Sequence, residues 1–507
     1  MKMKNLNSRK TGIVLSYISN ILNMVCGIYL SRFLLLQLGD TDYGIYQTVA
    51  SFASYLVLLE FGTGTVMTRN IASCRGRNAP KSEIDRNIST VWTVTHILAG
   101  TIFVFSVLFY FSIDFIYSVS MTPEQIAYSK TIFIFVVVYL ISGFYMQTLD
   151  GIVLGYEKYS FVSLQNIFKT VLRTALLIGI LLCVKTAIVI AAVDAALNLF
   201  LIVYIIAYSK KNFSVNFSAK LFDKLIFKAS LPLCFALFLQ SIVNQANNNV
   251  DKFVIGIIVS PEAVALYSIS LYIFTVFTTL TSIPLSMYAP QISIDMNRGI
   301  TMSELSEKLV PACRLSAIVG GSVLFGFIAA GKQFIGCFYG ADKTEAWIIA
   351  IIIMAPMFIN MVNGVLINVL NQLNKRMVRS VALLGTTVLN IVLTVWWINV
   401  WGIIGAAAAT CICTFIGQVV IMNIYYAKYL RIRVLYMFKE AFKGILPWQF
   451  AGALIALIVG RFFTNDVLSF FVCGFIFVIV FVSGYLLFGM NRNERKKIFS
   501  FLQRSKR

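Results

Sequence analysis

Long apolar runs, separated by short polar stretches, follow one another along the whole chain. A membrane helix rises about 1.5 Å per residue, so a run of about 20 residues crosses a hydrocarbon core of about 30 Å. The pattern therefore predicts an all-α polytopic membrane protein with about fourteen transmembrane helices. They lie at 11–38, 43–68, 88–113, 125–149, 160–184, 187–208, 230–258, 263–291, 309–330, 346–371, 378–398, 402–427, 447–463 and 467–489.

Composition and charge distribution support this interpretation. The chain is 59% hydrophobic and only 12% charged, whereas soluble domains contain about 25% charged residues. The net charge of +21 would suggest nucleic acid as the partner of a soluble protein. Here the basic residues concentrate in alternate loops, as the positive-inside rule requires. We therefore expect no nucleic-acid partner, a multi-pass location in the membrane, and both termini in the cytoplasm.

Weak internal similarity divides the chain. Residues 39–52 resemble 260–273, and 149–178 resemble 365–394, at a shared offset close to 220 residues. Each repeat has six helices, and because six is an even number both repeats enter the membrane from the same side. This predicts two six-helix lobes related as a parallel pseudo-repeat, plus two C-terminal helices. The predicted divisions are 1–208 (first lobe), 209–229 (amphipathic cytoplasmic linker), 230–428 (second lobe), 429–446 (cytoplasmic linker), 447–489 (last two helices) and 490–507 (basic tail).

The first linker has a helical pattern of its own. Its sequence AKLFDKLIFK places apolar residues opposite lysines and Asp223. The pattern suits a helix lying on the cytoplasmic surface of the membrane, and an ordinary positive-inside loop is the alternative.

A polar stripe interrupts the apolar segment 230–258. At helical spacing, one face carries Gln240, Asn244, Asn247, Asn248 and Asp251, with Lys252 beside it. Unpaired polar groups cost several kcal/mol each in hydrocarbon. The stripe therefore faces either a polar cavity, which would mark a transport path, or a hydrogen-bonded seam between helices.

Segment 160–184 carries a second stripe, formed by Asn166, Lys169, Thr170 and Arg173 at i, i+3, i+4 and i+7. Two cations on one face of a membrane helix meet water or an anion, or else they reach out to the head groups. Isolated charges occur in other segments. Arg32 lies in the first, and Glu60 in the second is either a protonatable switch or an ion-pair partner. Asp194 and His96 stand alone, and we expect packing or hydrogen-bonding roles for them.

Motifs for catalysis are absent from the sequence. It contains no phosphate-binding loop, no HExxH and no nucleophile elbow. The nine cysteines and single histidine form no metal-ligand spacing. We expect neither an enzyme nor a bound cofactor or metal, and transport would draw on an ion gradient or a substrate gradient.

The stretches GIVLSYISNILNMVCGIYLSRFLLLQLGDTDYGIYQ, LLEFGTGTVMTRNIA and NNNVDKFVIGIIVSPEAVALYSIS resemble the bacterial polysaccharide-repeat-unit flippases. This O-antigen-type family belongs to the multidrug/oligosaccharidyl-lipid/polysaccharide exporter superfamily. The resemblance implies a carrier in the bacterial cytoplasmic membrane that flips an undecaprenyl-diphosphate-linked oligosaccharide by alternating access for surface polysaccharide synthesis. It implies a cationic cavity for the diphosphate, carried over to Arg32, Lys169, Arg173 and Lys252.

The sugar hydroxyls would suit the amides of Asn166, Asn244 and Asn248, while Asp251 and Glu60 are candidates for coupling to H⁺ or Na⁺. Membrane lipids and a polysaccharide polymerase are the other expected partners.

Three alternatives remain. Fourteen helices also suit a peptidoglycan-precursor flippase. A cation-coupled multidrug antiporter would use acidic residues such as Glu60 and Asp251, although the first helix has Asn20 and Asn23 where such antiporters usually carry a carboxylate. A membrane glycosyltransferase would have a large outer loop, and the loops here are short.

Overall fold

The computed structural model describes residues 2–373, 375–463, 465–491 and 494–495. Every regular element in these ranges is helical, which confirms the predicted all-α membrane fold. The helices are α1 Lys2–Ala53, α2 Thr63–Gly76, α3 Lys81–Ile116, α4 Pro123–Gly155, α5 Tyr159–Cys183, α6 Ile188–Phe213, α7 Lys224–Ile258, α8 Pro261–Asn297, α9 Met302–Tyr339, α10 Glu345–Val362, α11 Val365–Gln372, α12 Arg376–Thr414, α13 Met422–Lys428, α14 Val434–Phe442, α15 Leu446–Gly460 and α16 Asp466–Gly484.

Ten helical stretches in the described chain are long and apolar enough to cross a membrane, or eleven if the bent pair α14–α15 is one span. Two of the ten are 63 and 52 residues long. Each contains a glycine outside helical geometry, Gly39 (φ 75°) and Gly402 (φ 59°), so each is kinked into two spans at that residue. With these divided and α7 added, the helices follow the order of the predicted segments.

The chain forms two compact units, Met1–Ala265 and Leu266–Arg507. The core of the first has two parts, one around Phe52 and Phe133 and the other around Met67 and Ile152. The core of the second joins α9, α10, α15 and α16. Helix α7 belongs to the first unit, whereas the internal similarity predicts that it begins a second lobe. The six-plus-six pseudo-repeat remains a prediction.

The linker after α6 differs from the prediction. Helix α6 continues to Phe213, a single 3₁₀ turn covers Ala219–Leu221, and the last five residues of AKLFDKLIFK, 224–228, are the start of α7. Asp223 determines where α7 begins, because its carboxylate accepts the N–H groups of Leu225 (2.8 Å) and Ile226 (3.3 Å) as an N-cap. The backbone N–H of Asp223 also donates to Thr90 of α3 at 3.0 Å. Residues 224–228 therefore belong to α7 rather than to a separate helix, and the position of this linker at the cytoplasmic surface stays a prediction.

Helices α2 and α4 pack through glycines. Gly151 and Gly155, four residues apart on α4, lie against α2 without a side chain between them. A Cβ on Gly151 would meet the carbonyl oxygen of Gly64, and one on Gly155 would lie 2.7 Å from the Cβ of Ile71. The close approach lets Thr68 donate to the Gly151 carbonyl at 3.2 Å. The two helices are therefore in close backbone contact.

We expect Gly151→Ala to lower stability, because the added methyl meets backbone and forces the two helices apart. Overpacking of this kind costs about 1–3 kcal/mol, which thermal unfolding of the purified protein would measure. Gly179→Ala in α5 is the matched control, since a Cβ there has no neighbour within 4 Å. Equal melting temperatures for the two variants would contradict the close packing.

Candidate functional site

The second predicted segment, 43–68, is broken inside the first unit. Helix α1 ends at Ala53, a 3₁₀ turn covers Ser54–Glu60, and Phe61 (φ 51°) and Gly62 (φ 67°) are left-handed before α2 begins. Such a break frees backbone carbonyls, and Gln245 of α7 donates to that of Ser54 at 2.7 Å. Non-helical backbone at membrane depth occurs where it is buried in protein or lines a cavity. Glu60 is the last residue of this turn.

Helices α5 and α6 are joined by two polar contacts one turn apart. Arg173 holds Asp194 with two hydrogen bonds, the one from Nη2 being 2.8 Å long. One turn away on each helix, the Lys169 ammonium donates to Oδ1 of Asn198 at 2.7 Å. The spacing i, i+4 on antiparallel helices places both pairs on the facing surfaces. Thr170 extends this network to α1, where its hydroxyl donates to Asn23.

Two cavities border these two contacts, Arg173–Asp194 and Lys169–Asn198, which together form the α5–α6 ladder. One has a volume of about 300 Å³ and is lined by Glu60, Gln147, Asp150 and Asn198 among others. The second, of about 330 Å³, is lined by residues that include Asn23, Thr170, Arg173 and Asp194. Tyr139, Asn166 and Lys169 line both. The stripe predicted on segment 160–184 therefore borders cavities lined by both polar and apolar residues.

The charges around the cavities are more balanced than the sequence suggested. Asp194 has the hydrogen-bonding role that was one of the two expected of it, and it is also the ion-pair partner of Arg173. The sequence did not identify Arg173 as the partner, because the pair joins two helices. Arg173 keeps 31% of its side chain exposed, whereas Asp194 keeps 6%. The Lys169 ammonium contacts a neutral amide, that of Asn198, and the neighbouring Arg173 guanidinium is already paired with Asp194.

The remaining predicted residues lie elsewhere. Arg32 of α1 and Lys252 of α7 are half-buried and line neither cavity. Asp251 is buried in α7. The side chains of Asn244 and Asn248, with those of Gln240 and Asn247, lie outside the described residues. The described residues contain no cluster suited to a metal ion.

Sequence reasoning missed several cavity residues, among them Gln147, Asp150 and Asn198. Helical spacing was the usable signal, since Asn198 lies one turn after Asp194 and Asp150 lies three residues after Gln147. His96 has the packing role expected of it, with its Nδ1 2.8 Å from the carbonyl oxygen of Trp92 and its ring against Tyr145.

Solved transporters share this fold. The lipid II flippase MurJ in an inward closed conformation superposes with a TM-score of 0.70 at 16% identity, covering 93% of this chain and 99% of that one. An inward-facing multidrug resistance MATE family transporter of the MOP superfamily gives 0.59 at 15% identity, covering 85% and 99%. These identities show similarity of fold only. No curated protein matches the sequence significantly.

The sequence matches a family profile described as polysaccharide biosynthesis protein over residues 11–294, more than half of the chain. The match includes the helix break, the α5–α6 ladder and both cavities. The chain is therefore a multi-pass membrane protein that belongs to the polysaccharide biosynthesis protein family.

Proposed function

We propose that the protein is a flippase that moves an undecaprenyl-diphosphate-linked oligosaccharide repeat unit across the bacterial cytoplasmic membrane by alternating access, with both termini in the cytoplasm. The observation that carries this proposal is the position of Lys169. Its ammonium borders two cavities and is held by the amide of Asn198 at 2.7 Å. Family membership supports a saccharide intermediate as the substrate.

The cavity walls suit a glycolipid head group. A diphosphate that leaves water needs cations and N–H donors, and charge-assisted hydrogen bonds of this kind contribute about 1.5–3 kcal/mol each. Lys169 supplies a cation, and Asn23, Gln147 and Asn166 supply amides for sugar hydroxyls. Arg173 joins the site only through its exposed third, because its other bonds hold Asp194. We therefore expect Lys169 to be the main contact of the diphosphate, with Arg173 as a secondary contact.

Carboxylates in the same cavity favour coupling to a cation. Glu60 and Asp150 both line the cavity that Lys169 borders. A proton or Na⁺ that enters there changes the charge next to the ammonium, which gives the gradient a means of biasing substrate binding. The same acids would suit a multidrug antiporter, and the fold similarity to MurJ keeps a peptidoglycan-precursor substrate as an alternative.

Reconstituted vesicles distinguish these functions. Fluorescent undecaprenyl-diphosphate-linked oligosaccharide in the outer leaflet should become protected from an added glycosidase when the protein is present. The same vesicles should not accumulate an organic cation under a proton or Na⁺ gradient. Cation uptake without movement of the glycolipid would overturn the proposal in favour of an antiporter, and movement of lipid II alone would favour the peptidoglycan precursor.

Replacement of Lys169 by methionine should reduce glycolipid translocation about tenfold to a hundredfold, because one charge-assisted contact to the diphosphate is lost. Methionine keeps the length of the side chain, so the folded protein should remain at the wild-type level. Lys185→Met, at the exposed turn between α5 and α6, is the control and should transport normally. Normal translocation by Lys169→Met would refute the role given to the ammonium.

A further inference from the structure

The outer face of the α5–α6 pair has a groove separate from the two cavities. It has a volume of about 390 Å³ and is lined by Phe161, Leu164, Gln165, Phe168, Phe200, Leu201 and Tyr204. Leu164, Phe168 and Phe200 are each at least half exposed. In a membrane-spanning unit this apolar surface meets lipid chains. Gln165 is the exception in the lining, because it is polar.

Gln165 has an unused hydrogen-bond acceptor. Its side-chain NH₂ donates to Oδ1 of Asp150 at 3.2 Å. That bond fixes the amide orientation, since a carboxylate oxygen accepts and does not donate. Its carbonyl oxygen Oε1 is buried and has no hydrogen-bond partner among the described residues. A buried acceptor left unpaired is costly. A hydrogen-bond donor that entered the groove would remove that cost, and its entry requires the aromatic side chains of the groove to rotate.

The depth of Gln165 places it near lipid head groups. Helix α5 has 25 residues and is therefore about 37 Å long, which exceeds a hydrocarbon core of about 30 Å. Gln165 lies six residues after the first residue of α5, and helical side chains lean toward the N-terminus. Its amide is therefore close to the boundary between chains and head groups.

Lysines surround the same end of the groove. Lys158 precedes α5, and Lys210 and Lys211 lie in the last turn of α6, which is antiparallel to it. All three are exposed. They provide positive charge at the head-group level, about two helical turns from the unused acceptor along the helix axis, a distance that the long lysine side chains can partly cover. The groove thus combines apolar walls, lysines at one end and one unpaired hydrogen-bond acceptor, the carbonyl oxygen of Gln165.

We propose that this groove binds phosphatidylglycerol, with its chains along the aromatic walls, its phosphate at the lysines and a head-group hydroxyl donating to Gln165. The bound lipid would hold Gln165 in place and, through it, Asp150 in the wall of the cavity that Lys169 borders. A membrane lipid would then stabilise the geometry of the internal site from outside. This inference concerns lipid binding and is independent of the transported substrate.

The full-length protein is purified and equilibrated with mixed micelles of detergent and phosphatidylcholine that contain equal amounts of phosphatidylglycerol and phosphatidylethanol. The two lipids have the same charge, but phosphatidylethanol has no hydroxyl. Native mass spectrometry counts the lipids retained. Wild type should retain phosphatidylglycerol about fivefold better than phosphatidylethanol, and Gln165→Leu should abolish this preference. Lys210→Gln should weaken both lipids equally, while Lys185→Gln, at the opposite end of α5 and α6, should change neither.

Equal retention of the two anionic lipids by wild type would overturn the proposal, as would a preference that survives in Gln165→Leu. Phe200→Ala protects the test against a folding defect at position 165, because it leaves the Gln165–Asp150 bond intact. We expect it to lower retention of both lipids by removing a groove wall. Unchanged retention in Phe200→Ala would place the lipid elsewhere and refute the site.

Discussion

Asp194→Ala should leave little folded protein in the membrane, because it strips a partly buried guanidinium of its counter-ion. Removing one partner of a buried ion pair costs about 3–5 kcal/mol. Arg173→Ala should have a similar effect, since it leaves the nearly buried carboxylate of Asp194 alone. Thermal unfolding in detergent and the amount of extracted protein measure both losses.

The double variant Arg173→Leu, Asp194→Leu separates stability from transport. It removes both charges together, so folding should recover to near the wild-type level. If the exposed third of Arg173 contacts substrate, glycolipid translocation should remain at least about tenfold lower. Full recovery of transport would mean that the pair serves only to join α5 and α6. The exposed pair Arg77–Glu83 is the control, and Glu83→Ala should cost under about 1 kcal/mol.

The helix pattern could be predicted from the sequence because apolar length alone defines a membrane helix. The stripe of Asn166, Lys169, Thr170 and Arg173 was also predictable, since periodicity shows that four polar residues share a face. The residues that this stripe contacts could not be predicted. Asp194 and Asn198 come from another helix, and no local pattern indicates which side chains will pair across two antiparallel helices.

Other differences arise where backbone geometry overrides hydrophobic length. The apolar run 43–68 is long enough for an unbroken helix, yet Phe61 and Gly62 are left-handed and place Glu60 at a break. At the first linker, amphipathic spacing favoured a separate helix, but the N-cap at Asp223 makes those residues the start of α7. Amphipathicity identifies a helical face, and only the cap identifies where the helix starts.

Arg314 should be the most sensitive position in the second unit. This buried side chain of α9 uses every donor of its guanidinium. Nε and Nη2 bind the Glu494 carboxylate at 2.6 and 3.0 Å, Nη1 donates to the carbonyls of Glu440 (2.7 Å) and Lys443 (2.9 Å), and Nη2 also donates to that of Gly489 (3.0 Å). One arginine thus joins the C-terminal end of α14 to the helical turn after α16.

The carboxylate of Glu494 is itself fixed by its neighbours. It accepts the Asn491 N–H at 2.9 Å, while the Asn491 side chain accepts the Glu494 N–H at 2.9 Å. Burial alone would raise the pKa of Glu494, but the bonds from Arg314 and Asn491 outweigh it and hold the pKa below the ordinary value of 4.5. The stabilisation is therefore complete above that value and is lost as the pH falls through the lower, folded-state pKa.

Arg314→Ala should lower the free energy of unfolding by about 3–5 kcal/mol, because it leaves a carboxylate and three carbonyls without their donor. Arg314→Lys keeps the charge but lacks the planar fork, so we expect an intermediate loss. Arg433→Ala, which removes only an exposed 3.2 Å contact with Glu307, should stay within about 1 kcal/mol of wild type. Glu494→Gln should be less stable than wild type at pH 7, and the difference should shrink below pH 4.5 as Glu494 protonates. A melting temperature of Arg314→Ala equal to that of Arg433→Ala would show that the C-terminal helices hold together without this arginine.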